Sequence, residues 1–183
     1  MLLMRLATKK LFSTEMQSGL LAMAPFFLII PTYKVGMNIG LIAFVLIFVF
    51  AAVIYLLCDF VPSQQRVVVV LVFSVSIVLI ARMLIQANDY SIAYSIGLFF
   101  PLLLINSLTL SLGDEVFSKQ DYKSTLIYVS GIAISVLIFF ITFGFLKGLL
   151  DMISIIESPA GSFMLLGLLF ATINFLKTSK VTD

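Results

Sequence analysis

Six apolar stretches, separated only by short connections, dominate this chain and leave it few ways to fold. They lie at about 18–33, 37–58, 67–87, 92–112, 124–149 and 160–177, to be compared with the ~20 residues an α-helix needs to cross the hydrocarbon core. In hydrocarbon every backbone N–H and C=O must be paired within the chain, so such stretches are helical or they do not cross. The expectation is an all-α integral membrane protein of six transmembrane helices, with 1–183 as one transmembrane domain. At 62% hydrophobic and 11% charged residues, the chain lacks the polar shell of a soluble domain.

Three breaks mark the joints. Val61-Pro-Ser-Gln-Gln-Arg66 separates spans two and three, and Gln86-Ala-Asn-Asp-Tyr90 separates three and four. Gly113 to Lys123 is expected to be the longest and most charged connection. With six spans both termini lie on one side. That side carries Arg5, Lys9, Lys10, Arg66, Lys119, Lys123, Lys177 and Lys180, and the other Lys34, Arg82 and Lys147. Eight cations against three place both termini in the cytoplasm, the expected membrane being a bacterial inner one. The basic start Met1 to Lys10 lacks a compact apolar core and cleavage site and reads as retained, either as a solvated lead-in or as a short surface helix.

Two spans are interrupted. Leu21-Ala-Met-Ala-Pro25 and Pro31 break the first, and Pro101 with Asn106, Ser107 and Thr109 breaks the fourth. Proline removes a backbone donor, and membrane protein tolerates that loss only where the break is buried or beside a site. Each interrupted span is followed by two regular ones. The spans therefore group as two triplets, about 17–87 and 92–177, which must cross in opposite senses: the pattern of an inverted repeat whose broken helices meet near the midplane. Pro25, Pro101 and Asn106 are the candidate half-helix site. They form either a ligand site or a kink whose polar groups satisfy each other.

Several chemistries are excluded. With no histidine and a single cysteine, Cys58, there is no catalytic triad, no His-ligated metal and no intrachain disulfide. A net charge of +2 without a basic patch argues against nucleic acid. Arg82 and Lys147 stand near span ends and are expected to snorkel to the interface. Gly36-x-x-x-Gly40 and Gly144-x-x-x-Gly148 permit close helix approach, within the monomer or to a partner.

The residues around the second break resemble a known family. Ser95-Ile-Gly-Leu-Phe-Phe-Pro-Leu-Leu-Leu-Ile-Asn-Ser107, continuing to Lys119, is similar without a gap to the G-x-x-x-P-L-I-V-V-N-C-x-x-L-G-R-A-E-A-F-A-S-K region of Rnf/Nqr membrane subunits. Leu21-Ala-Met-Ala-Pro25 resembles that family's G-L-C-P, and Phe60 to Arg66 its second connection, in register over about 17–150. The resemblance implies two inverted three-helix repeats, paired in the bilayer with a homologous six-helix subunit of opposite orientation. Such a pair sits inside a redox-driven, ion-translocating electron transport complex, as a subunit that is not itself catalytic. Cytoplasmic termini match the RnfE/NqrD type rather than the RnfA/NqrE type.

In that family cysteines of the half-helices hold a 2Fe-2S cluster between the two subunits. Here the matching positions are Ala24 and Ser107. Alanine has no donor atom and serine is a poor substitute for thiolate. No cofactor is therefore expected from this chain, and Cys58, at the end of span two, is no replacement. Ser111, Leu112 and Gly148 also depart from the pattern. Three roles follow: a scaffold or ion-path subunit that has lost its half of the cluster, an electron-transfer subunit whose cofactor a partner chain holds, or a small inverted-repeat transporter.

Overall fold

Hydrocarbon gives an unpaired peptide group no partner, and every regular element among the described residues is helical. The computed structural model describes residues 21, 23, 24, 27, 30, 33–88, 97–118, 121–150 and 158–179. Helix α1 spans Tyr33–Leu57. A turn and the 3-10 segment Ser63–Gln65 lead into α2, Arg66–Asn88. A second 3-10 segment, Gly97–Leu103, precedes α3, Ser107–Ser118. Helices α4, Tyr122–Leu149, and α5, Pro159–Ser179, complete the order.

The all-helical, membrane-type architecture is as the sequence requires. Three segments, Lys34–Leu57, Ser63–Asn88 and Tyr122–Leu149, are long and apolar enough to cross a bilayer, and Ala160–Phe175 is a shorter apolar helix. Many of their large apolar side chains point outward, among them Val68, Val72, Leu79, Met83 and Met164. Lipid is the solvent such a surface fits.

The core is built on α1 and α4, which run antiparallel. Near one end of the pair a Cβ on Gly36 would lie 2.7 Å from the Phe140 carbonyl oxygen and 3.4 Å from the Gly144 Cα. One turn on, Gly40 would meet Phe140 Cβ at 3.2 Å. At the other end the rings of Tyr55 and Tyr122 are 5.7 Å apart, edge to face. Helices of lipid-facing proteins associate through close van der Waals packing rather than exclusion of water, and small residues allow the approach. The first GxxxG pair therefore serves packing within the chain. Gly144 joins the same seam, whereas a Cβ on Gly148 would meet nothing within 4 Å.

Of the described residues assigned to span one, Phe27 packs on α4. Phe27, 1% exposed, sets its ring 5.3, 5.3 and 4.6 Å from those of Phe139, Phe140 and Phe143. Met23 and Ile30 are buried in the same core.

Two expectations need correction. The stretch from Gly113 to Lys123 is not an extended charged connection, because α3 continues to Ser118 and α4 begins at Tyr122. Gly113 sits inside α3 facing α2, where a Cβ would collide with Val70 Cγ2. Its role is helix contact, while Asp114 lies on the exposed face. Lys147 does not snorkel outward. It is 5% exposed and follows Phe140, Phe143 and Gly144 on the buried side of α4. Arg82, half-buried on α2, remains free to reach the interface.

Candidate functional site

The break in the fourth span is a built junction. Pro101 lies inside the 3-10 segment, whose first residue, Gly97, has φ +50°, a left-handed conformation suited to glycine. The Pro101 carbonyl accepts from the Leu104 N–H at 3.3 Å and the Ile105 N–H at 2.9 Å, which closes the turn. The chain then restarts as α3, and Asn106 is its cap.

Asn106 works in both directions. Its Nδ2 donates to the carbonyls of Leu102 at 3.0 Å and Leu103 at 3.1 Å, the end of the incoming segment. Its Oδ1 accepts from the Thr109 N–H at 3.1 Å and the Thr109 hydroxyl at 3.4 Å, in the first turn of α3. An N-cap side chain satisfies one of the donors a helix start leaves unpaired. Here one amide also closes the preceding carbonyls. Asn106 is 8% exposed and Thr109 1% exposed, so neither group depends on water. Asn106 and Thr109 thus satisfy each other and the carbonyls of the preceding turn.

Helix α3 is anchored by one face. Leu108, Leu112 and Val116 repeat every four residues, with Thr109, Gly113 and Phe117 beside them, and all six are buried. Ser107, its first residue, faces outward and its hydroxyl has no hydrogen bond among the described residues. Ala24 is half-buried against the same core that holds Leu103, Leu104 and Leu108. Pro25 lies outside the described residues. The structure thus joins Pro101, Asn106 and Ser107 in one junction, while Ala24 packs against the hydrophobic core that also holds Leu103, Leu104 and Leu108.

The donor set is poor. Ala24 offers a methyl group and Ser107 one hydroxyl, and among the described residues no group of three or more His, Cys, Asp or Glu side chains can hold a metal ion. Cys58 lies elsewhere. Its thiol donates to the carbonyls of Ile54 at 3.4 Å and Val116 at 3.6 Å. Val116 is nine residues beyond Ser107 on α3, about 14 Å along the axis at ~1.5 Å per residue. The thiol and Ser107 therefore mark opposite ends of that helix.

Comparison with known proteins settles the family. The family model described as "Rnf-Nqr subunit, membrane protein" matches residues 3–178. The chain belongs to the Rnf-Nqr membrane subunit family. The E subunits of the ion-translocating oxidoreductase complex from three strains of Vibrio cholerae serotype O1 are 24% identical to it over 102 residues. That alignment covers 56% of this chain and 44% of each relative, so the match spans less than half of their length. No solved structure matches the chain.

The Rnf-Nqr match extends well beyond the region where the sequence resemblance was clearest. It leaves one cluster that sequence reasoning passed over. The Arg66 guanidinium lies 5.1 Å from the centre of the Phe117 ring, at the far end of α3 from Asn106. Cation–π geometry of this kind depends on which helix ends meet, and neither residue type signals it alone.

Proposed function

We propose that this chain is a membrane subunit of an Rnf/Nqr-type ion-translocating oxidoreductase complex, serving as scaffold or ion path without holding half of a midplane 2Fe-2S cluster. The observation that supports the reading is a fourth-span break built on Pro101 and Asn106 without thiol ligands at the matching positions. Asn106 makes two hydrogen bonds to the first turn of α3 and two to the carbonyls before it, while the positions that match the family's cysteines are a half-buried alanine and an outward-facing serine. Iron–sulfur clusters are held by thiolates, and this donor set does not fit one.

The remaining architecture is proposed with it. The chain makes six crossings as two inverted three-helix repeats, about 17–87 and 92–177, with both termini in the cytoplasm of a bacterial inner membrane. A reciprocal arrangement favours the repeat: Phe27 of the first broken span packs on α4, and the Cys58 thiol after α1 bonds to α3 of the second. Each half thus rests on the other's elements, as a pseudo-two-fold relation requires. The expected partner is a homologous six-helix subunit of opposite orientation, together with other subunits of the complex. The name of the Vibrio relatives supports such an assembly.

Affinity purification of the tagged chain from its native membrane tests this. The expected result is co-purification with a cysteine-bearing homologue and redox subunits, with no iron stoichiometric with this chain. An electronic spectrum of a cluster that disappears on Ser107→Ala would overturn the proposal. Solute uptake by this chain alone in liposomes would favour a transporter instead.

A further inference from the structure

Arg66 is the first residue of α2 and shares a helix face with Val70, Ser74 and Ile77, the buried face that meets α3 at Gly113. Its side chain is therefore turned inward over the end of α3, with the guanidinium 5.1 Å from the centre of the Phe117 ring. Nε is buried there and has no hydrogen-bond partner. The two Nη groups are accessible, and no hydrogen bond or ion pair engages them among the described residues. A cation partly withdrawn from water is costly until an acceptor replaces the solvent.

That placement limits where the acceptor comes from. Lipid around the bundle meets the opposite face of α2, which carries the exposed Val68, Val72, Val75 and Leu79, so an acceptor reaches Arg66 over the helix ends. Three contacts draw the α1–α2 and α3–α4 connections together at this end: the Cys58 thiol to Val116, Arg66 to Phe117, and Tyr55 to Tyr122. The same connections leave Phe60 81% and Tyr122 59% exposed, with Ser63, Gln64 and Gln65 exposed as well. Uncovered aromatic rings and an arginine among polar residues are the composition of a protein interface. The family matched is one of subunits, which supplies a protein surface to cover them. Asp59, Asp114 and Asp121 are exposed at this end and none forms an ion pair with Arg66. Their charge disfavours an acidic tract and admits a single carboxylate set on the guanidinium, whose Nη pair matches it as a fork. On the reading of this chain as a subunit of a complex, we propose that the end of the bundle carrying Phe60, Arg66 and Tyr122 docks another protein subunit, which places one carboxylate on the Arg66 Nη groups.

Carbodiimide coupling tests this in the assembly purified through the tagged full chain from its native membrane, because the reagent joins a lysine amine to a carboxylate in contact with it and leaves arginine unreacted. Arg66→Lys is expected to couple position 66 to an Asp or Glu of another subunit, located by peptide mass spectrometry, and the wild type to give no such product. Arg66→Gln is expected to lower the yield of that subunit about five- to tenfold relative to the tagged chain, and Arg82→Gln, on the same helix, to leave it unchanged. Phe60→Ala gives a smaller loss. An unfolding midpoint of Arg66→Gln close to that of the wild type separates lost docking from lost fold, and the coupling of Arg66→Lys answers the question should Arg66→Gln fail to fold. Coupling only to this chain's own acids, or none in an assembly that stays intact, overturns the docking surface and leaves the complex standing. A chain that purifies without other subunits overturns both. Retention of every subunit by Arg66→Gln with loss of bound phospholipid phosphorus overturns the carboxylate in favour of a lipid headgroup.

Discussion

Replacing Asn106 separates the junction into measurable parts. In Asn106→Ala the Thr109 N–H loses its cap, for which ~1 kcal/mol is typical. The carbonyls of Leu102 and Leu103 lose the amide that bonds to both, at ~1 kcal/mol each. Polar contacts within membrane proteins average nearer ~0.6 kcal/mol, so the expected total is about 2–3 kcal/mol. Asn106→Ser separates the two directions. A serine hydroxyl caps Thr109 but does not extend to the two carbonyls behind it, and the expected loss is about 1–2 kcal/mol. Unfolding in mixed micelles by increasing mole fraction of dodecyl sulfate, followed by circular dichroism, gives both values. Amide hydrogen exchange over Leu108 to Leu112 should quicken in the same order. A loss below about 0.5 kcal/mol in Asn106→Ala, or a serine variant no better than alanine, would refute the two-way cap.

Other substitutions probe the packing and the junction's surface. Gly36→Ala drives a Cβ against the Phe140 carbonyl and should destabilise by about 1–3 kcal/mol in the same micelle assay, whereas Gly148→Ala, facing open space, should be neutral or slightly stabilising. Gly113→Ala should destabilise α3 against α2, and Val70→Ala should restore much of the loss; strict additivity in that double-mutant cycle would contradict the contact. Phe27→Ala removes three ring contacts and should cost about 2 kcal/mol. In a Cys58→Ser background, a cysteine replacing outward-facing Ser107 should react with maleimide much faster than one replacing half-buried Ala24, and the opposite order would place α3 wrongly.

Much of this was open to reading from the chain, and the rest was hidden for definable reasons. Long apolar runs and the prolines exposed the helices and the break at Pro101, because both act through the backbone of the segment that contains them. The cap by Asn106 was readable for the same reason: its partners, Leu102, Leu103 and Thr109, are within four residues. Contacts between helices were not. Gly113 followed by Asp114-Glu115 looks like the start of a loop, and only the approach of Val70 explains its place inside α3. Lys147 was misread because α4 is apolar on every side, so its sequence does not say which face is inside. Arg66 and Phe117 are 51 residues apart, and nothing local announces that they meet.

The seam between α1 and α4 constrains how the molecule can move. With Gly36 set against a carbonyl of the opposite helix, these two helices cannot slide along each other without first separating. They form an axle. Helix α2 buries only Val70, Ser74, Ile77 and Val78, far fewer residues than α4, and α5 leaves a cavity of about 460 Å³ beside α4 lined by Leu146, Leu165 and Leu169. Any relative movement of the helices would thus fall to the outer ones, and a cross-link across the seam should restrict the molecule less than a link from α5 to α4.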